Sequence, residues 1–95
     1  MAQFDIGETV ICSIEVRDIN GNLTDPITSM TIKIERTRPS YALVQDVVAM
    51  TPDAGAGLFH YDFNSAGNEV GDYRVTYTAT DSSRVTIEKE TFQLV

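Results

Sequence analysis

Asp18, Asn20, Asn22 and Asp25 place four oxygen-bearing side chains within eight residues, and D-x-N-x-N is the opening of many calcium loops. The remainder of that pattern is missing. Gly21 precedes the third ligand position instead of following it, and Ser29 stands where the twelfth-position acid is needed. The Asn20-Gly21 pair explains the same letters as a tight hairpin turn, because both residue types tolerate positive φ. Fourteen aspartates and glutamates would supply a glycosidase-like acid and base only if two of them met in a cleft, and nothing in their spacing arranges that. They read as a solvated surface. His60, between Phe59 and Tyr61, reads as an exposed or edge histidine rather than a pH switch. The serines include no G-x-S-x-G nucleophile elbow. With one cysteine, Cys12, and one histidine, a single chain lacks the ligands of a tetrahedral N/S zinc site and has no internal disulfide. The expectation is therefore no enzyme, no metal and no cofactor.

Binding chemistry is better represented. Arg36-Thr37-Arg38-Pro39-Ser40 carries two of the seven basic residues and a proline, which reads as an exposed connection, and Tyr41 follows it directly. Arginine and tyrosine are enriched at interface hot spots, so Arg36, Arg38 and Tyr41 are the expected partner-binding residues. The alternative is that Tyr41 packs over one end of the domain.

Strands must position these groups. Apolar residues alternate with polar ones at period 2, with turn residues between the runs, as in a sandwich or barrel of antiparallel strands. Val10, Cys12, Ile14 and Val16 share one face, so Cys12 is expected to be buried. The chain should reverse at Asp18–Asn22, and Pro26 should end any pairing begun by Leu23 and Thr24. Met30, Ile32 and Ile34 form the next apolar face. The run Leu43 to Met50 is too densely apolar for clean alternation, which predicts a bulge or a sheet-crossing strand. A turn is expected over 51–57. Phe59, Tyr61 and Phe63 then share a face and are predicted to be the heaviest part of the core. After a loop at Asn64–Asn68 comes the cleanest strand, with Tyr73, Val75, Tyr77 and Ala79 in one phase, followed by a turn at Asp81-Ser82-Ser83. In the last run Val85 and Ile87 are out of phase with Phe92 and Leu94, which predicts a one-residue bulge near Lys89 or Glu90. Six strands are expected, with a seventh at Gln3 to Ile6 or at Leu23 to Ile27.

Ninety-five residues suffice for one domain, 1–95, and a hydrophobic content of 42% with 22% charged residues predicts a folded core. The formal net charge of -7 repels phosphate backbones, so nucleic acid is not an expected partner. No apolar stretch approaches the roughly 20 residues that span a bilayer, and an acid at position 5 argues against a signal peptide. A membrane partner is not expected, and the chain is expected to be a complete small gene product made in the cytoplasm.

Gly71-Asp72-Tyr73-Arg74-Val75 resembles the G-x-Y-x-V segment of immunoglobulin-like sandwiches, in which a tyrosine opens the penultimate strand at a corner. Gly7-Glu8-Thr9-Val10, Val16-Arg17-Asp18, Asn20-Gly21 and Asp25-Pro26 resemble elements of small immunoglobulin-like proteins encoded among tailed-bacteriophage structural genes. The acidic stretch with Glu88 and Glu90, followed by Phe92 and Leu94, is similar to their closing pattern. The resemblance implies an immunoglobulin-like antiparallel β-sandwich of about seven strands without a disulfide, with Tyr73 as the corner residue. It further implies a virion-associated protein, a capsid decoration or a neck or tail component, that is oligomeric on the particle and contacts other virion proteins. The chain has no tryptophan and no cysteine pair, so it departs from antibody domains. The competing expectation is an adhesion or carbohydrate-binding module of a bacterial surface protein.

Overall fold

The alternation Thr9–Glu15 becomes a strand whose Val10 and Cys12 are buried while Thr9, Ile11 and Ser13 face outward. The same rule builds the remaining elements of the computed structural model, which describes residues 2–25, 29–81 and 84–95. The strands are β1 (Ala2–Phe4), β2 (Thr9–Glu15), β3 (Ser29–Arg38), β4 (Ala42–Ala49), β5 (Thr51–Pro52), β6 (Leu58–Asn64), β7 (Gly71–Thr80) and β8 (Val85–Leu94). They form two sheets, one ordered β1-β8-β7-β3-β4 and the other β2-β6-β5. All pairings are antiparallel except β1 with β8, which is parallel from Ala2↔Phe92 to Phe4↔Leu94. The fold is all-β, and its one cysteine, Cys12, is free and buried.

The six expected strands are present, and eight are found among the described residues instead of about seven. The Gln3 to Ile6 alternative corresponds to β1. Leu23 makes only an isolated bridge to Arg17, and Thr24 and Asp25 belong to no strand, while Pro26 and Ile27, and with them the expected break, lie outside the described residues. Ser82 and Ser83 of the expected turn also lie outside them. The additional strand is β5, inside the segment expected to be a turn: Thr51 pairs with His60 and Pro52 with Phe59. Leu43 to Met50 is explained by both devices at once. Register shifts opposite Ile32, Ile34 and Glu35 mark bulges in the β3–β4 pair, and the chain then passes from one sheet to the other at the buried Met50, whose N–H donates to Met30.

Two expectations are corrected. Residues 36–38 are not part of a connection but the end of β3, because Arg36 pairs with Tyr73 on one side and Ala42 on the other, and Arg38 pairs with Asp72. Nor does β8 contain a bulge. Its register with β7 runs unbroken from Gly71↔Leu94 to Thr80↔Val85. Val85 and Ile87 therefore project from the face opposite Phe92 and Leu94 and remain 63% and 56% exposed. Their places on the inner face are taken by Thr86, Glu88 and Glu90.

Aromatic rings join the sheets. Tyr73 and Phe92, neighbours on β7 and β8, stack with centroids 5.2 Å apart and planes at 5°. Phe63 from the opposite sheet lies 6.3 Å from Tyr73 and 6.1 Å from Phe92, and Phe4 meets Phe92 edge-on at 5.9 Å. The row Phe59, Tyr61 and Phe63 packs toward the core, but only Phe63 is buried. Tyr61 reaches sideways so that its hydroxyl donates to Gln45, and Phe59 pairs with Ile14, toward the far end of β6 from Phe63. The centre of the core is thus displaced toward β7 and β8.

The Tyr73 hydroxyl donates to the carbonyl of Glu69, four residues upstream, at 2.6 Å. Gly71 makes the intervening bend with φ +150°, and a Cβ there would collide with the Arg38 carbonyl. Tyr73→Phe removes that bond, which is partly buried, so we expect a loss of about 1 kcal/mol. In a thermal melt this reads as a fall of roughly 4–8 °C. An unchanged melting temperature would show that the corner adds nothing to stability.

Candidate functional site

The hairpin between β3 and β4 gathers the residues expected to bind a partner, and it assigns them different tasks. Arg36 projects toward the sandwich interior beside Tyr73. Its Nη1 donates to Glu69 at 2.8 Å, and its Nε and Nη2 donate to the Ser40 carbonyl and hydroxyl at 3.0 and 3.2 Å. It is a strap across the end of the sandwich. Arg38, two residues on, has an exposed side chain that only approaches Asp72, at 4.0 Å. Tyr41 is exposed along its ring, while its hydroxyl is anchored, donating to Glu35 at 2.5 Å. Arg38 and the Tyr41 ring are therefore accessible together, and Arg36 is not.

Glu35 is the residue that periodicity alone did not single out. It lies on the outer face of the five-stranded sheet yet is buried, because Tyr41 folds over it and Arg74 and Lys33 flank it. Arg74 Nη2 stands 3.2 Å and Lys33 Nζ 3.7 Å from the same carboxylate oxygen. A signal did exist in the sequence, since Glu35 and Arg74 occupy outward positions of strands that pair directly. Finding it required knowing that β3 and β7 are neighbours. The hydrogen bond from Tyr41 leads, with Arg74 and Lys33 assisting, in holding the Glu35 carboxyl below its ordinary value against the opposing effect of burial. The same bond raises the Tyr41 phenol.

A second cluster lies between the sheets. The Tyr77 hydroxyl donates to Glu90, and Cys12 sits beside both. Burial, followed by the charge of Glu90, pushes the Cys12 thiol up to about 12, and burial with the Glu90 bond raises the Tyr77 phenol. Next to them opens a cleft of about 480 Å³ whose walls include Ile14, Val16, Met30, Tyr77 and Ala79. It exists because the inner face of β8 here carries Thr86 and Glu88 in place of apolar residues. The walls offer apolar surface, and burial disfavours the ionised forms of both the thiol and the phenol nearby.

The calcium-like letters serve the backbone. One Asp18 carboxylate oxygen accepts the N–H groups of Asn20 and Asn22 at 2.9 and 3.0 Å, and Asp25 accepts that of Gly57 at 2.7 Å. The Asp18 N–H in turn donates to the Asn22 carbonyl, so the chain reverses as the Asn-Gly pair predicts, with Gly21 at φ +83°. His60 is half-buried, with Nδ1 at 2.5 Å from Asp53. No protein-family model, curated protein or solved structure matches the chain.

Two measurements follow from these geometries. Because the folded state holds Glu35 below the ordinary carboxylate value of 4.5, its contribution to stability is complete above that value and fades as pH falls through the lowered folded value. Urea midpoints of the protein and of Glu35→Gln should therefore differ at pH 7 and converge in acid; a gap that stays constant down to pH 3 would exclude an ionised Glu35 as the cause. Cys12 should react with iodoacetamide at pH 8 on the order of a thousandfold more slowly in the native protein than in denaturant. Comparable rates would mean that the thiol is accessible and ionisable.

Proposed function

We propose that this chain is an immunoglobulin-like β-sandwich that serves a tailed bacteriophage as a non-catalytic structural or binding protein of the virion, either decorating the capsid or forming part of the neck or tail. The strand order supports the fold reading. Sheet β2-β6-β5 corresponds to the B, E and D strands of such domains, and β3, β7 and β8 to C, F and G, with β4 placed as the additional strand beside C. The Tyr73 hydroxyl bond to Glu69 at the start of the penultimate strand has the form of a tyrosine corner.

One observation carries the functional reading: large apolar side chains stand exposed on regular strands as well as in loops. Leu43 and Val47 on β4 are 49% and 61% exposed, Leu43 opposite the Glu35 that Tyr41 covers, and Val85 and Ile87 on β8 are exposed as well. Rigid apolar surface of this kind is what protein interfaces use. The titratable groups that come together, by contrast, are held in fixed partnerships: Glu35 with Tyr41 and Arg74, Glu90 with Tyr77, and His60 with Asp53. Such partnerships support a structural over a catalytic reading. Among the described residues Tyr41 is the one aromatic classed as exposed, whereas a sugar-binding face presents several aromatic platforms. This favours protein partners on the particle over carbohydrate.

Mass spectrometry of density-purified particles from the source host tests the assignment. Copies near one per major capsid subunit, or a fixed fraction of that, are expected for a decoration, and roughly five to a dozen per particle for a neck or tail ring. Absence from the particles would overturn the virion assignment.

A further inference from the structure

The outer edge of β8 is open over most of its length. β7 pairs with all ten residues of β8 on one side, whereas β1 covers only Phe92, Gln93 and Leu94 on the other. Val85 through Thr91 are all exposed and have no strand partner on that outer side among the described residues. An edge of seven residues with unsatisfied ladder groups is a template for another strand unless its side chains forbid pairing.

The side chains here favour one occupant. Read as an antiparallel pair with itself, the segment Arg84-Val85-Thr86-Ile87-Glu88 is self-complementary about Thr86. Arg84 of each copy faces Glu88 of the other on the inner side of the sheet. Val85 of each faces Ile87 of the other on the outer side, and Thr86 faces Thr86 on the axis. Each opposition is of a favourable kind: opposite charges, two β-branched apolar residues, and a threonine pair. Neighbouring registers are poorer. Centring the axis on Ile87 keeps an Arg84–Glu90 pair but sets Val85 against Lys89, and Glu90 is already engaged by Tyr77. Centring it on Glu88 sets that carboxylate against its own copy. The apolar residues that form the cross-strand pairs, Val85 and Ile87, are the ones left exposed by the unbroken β7–β8 register. β1 lies beyond the paired segment in each copy, beside Phe92–Leu94.

We propose that the partner of this edge is a second copy of the chain, joined through a two-fold axis at Thr86 so that the two five-stranded sheets become one continuous ten-stranded sheet. The proposal does not depend on the virion assignment, since an isolated domain in solution has the same edge.

Sedimentation velocity of the purified protein over a range from about 1 to 500 μM, near the span of affinities expected for a short strand pair, reads the association directly. A monomer–dimer equilibrium is expected, weakening as salt is raised because two ion pairs contribute. Ile87→Lys, at an exposed position that leaves the melting temperature unchanged, should weaken association by about tenfold or more. Arg84→Glu alone should weaken it as well, and combination with Glu88→Arg should restore it, which separates a specific pair from a general charge effect. Thr86→Cys should form an intermolecular disulfide under mild oxidation while Thr91→Cys does not, because only residue 86 meets its own copy. A protein that stays monomeric at the highest concentration overturns the proposal. So does a dimer that ignores Ile87→Lys and fails to cross-link through the Thr86→Cys variant.

Discussion

Without a disulfide, two sheets of unequal width are joined chiefly by packing, and the centre of the joint is Tyr73. Its ring lies flat on Phe92 and meets Phe63 across the sandwich, while its hydroxyl donates to the Glu69 carbonyl and Arg36 donates to the Glu69 carboxylate. Burying a phenol costs free energy unless the hydroxyl finds a partner. Here the partner is the backbone of the segment that enters β7, so burial of the ring and closure of that end of the sandwich are one event. Arg36 extends the arrangement to the β3–β4 hairpin through Ser40.

The difference in width between the sheets shapes the rest of the molecule. Five strands face three, so among the described residues part of the larger sheet has no strand opposite it. Where cover is complete, β8 presents Phe92 and Leu94 inward; where it is not, β8 presents Thr86, Glu88 and Glu90, and the cleft opens beside them. Glu90 is tolerated at the margin of the core because Tyr77 donates to it. On the opposite face Glu35 illustrates the converse, an outward residue that becomes buried because a tyrosine from the adjoining hairpin lies over it. Both acids are held by phenols, and neither position follows from the alternation of its own strand.

Local pattern made most strands legible, because period-2 alternation depends on neighbours along the chain. Val10 and Cys12, the Met30-Ile32-Ile34 face, and Tyr73-Val75-Tyr77 all lie where alternation places them. The reading failed where a residue's surroundings are set by another strand. The phase change in β8 looked like a bulge because apolar residues were assumed to face inward, whereas the uncovered half of the strand reverses that preference. Arg36 looked like part of a loop because arginine and proline cluster there, yet pairing with Tyr73 and Ala42 keeps it in β3. Phe59 and Tyr61 have the right facing but stand away from the ring cluster, and nothing in their own sequence gives the distance to Tyr73. Of the expected binding residues, Arg38 and Tyr41 are accessible, and the exposure of Val85 and Ile87 follows from the unbroken β7–β8 register in place of the expected bulge.

The pairing of β1 with β8 constrains the order in which this molecule can be made. Phe4 finds Leu94 only after some ninety residues have been synthesised, and the Ile6 and Val95 backbones are bonded to one another's neighbourhood in the same way. During vectorial synthesis β1 therefore has no partner while the sheet β2-β6-β5 and the β3–β4 hairpin are already available to form. Closing so long a loop adds little equilibrium cost compared with a shorter one, since that cost grows only logarithmically. Its effect is on timing: β1 finds its strand partner only once β8 is available.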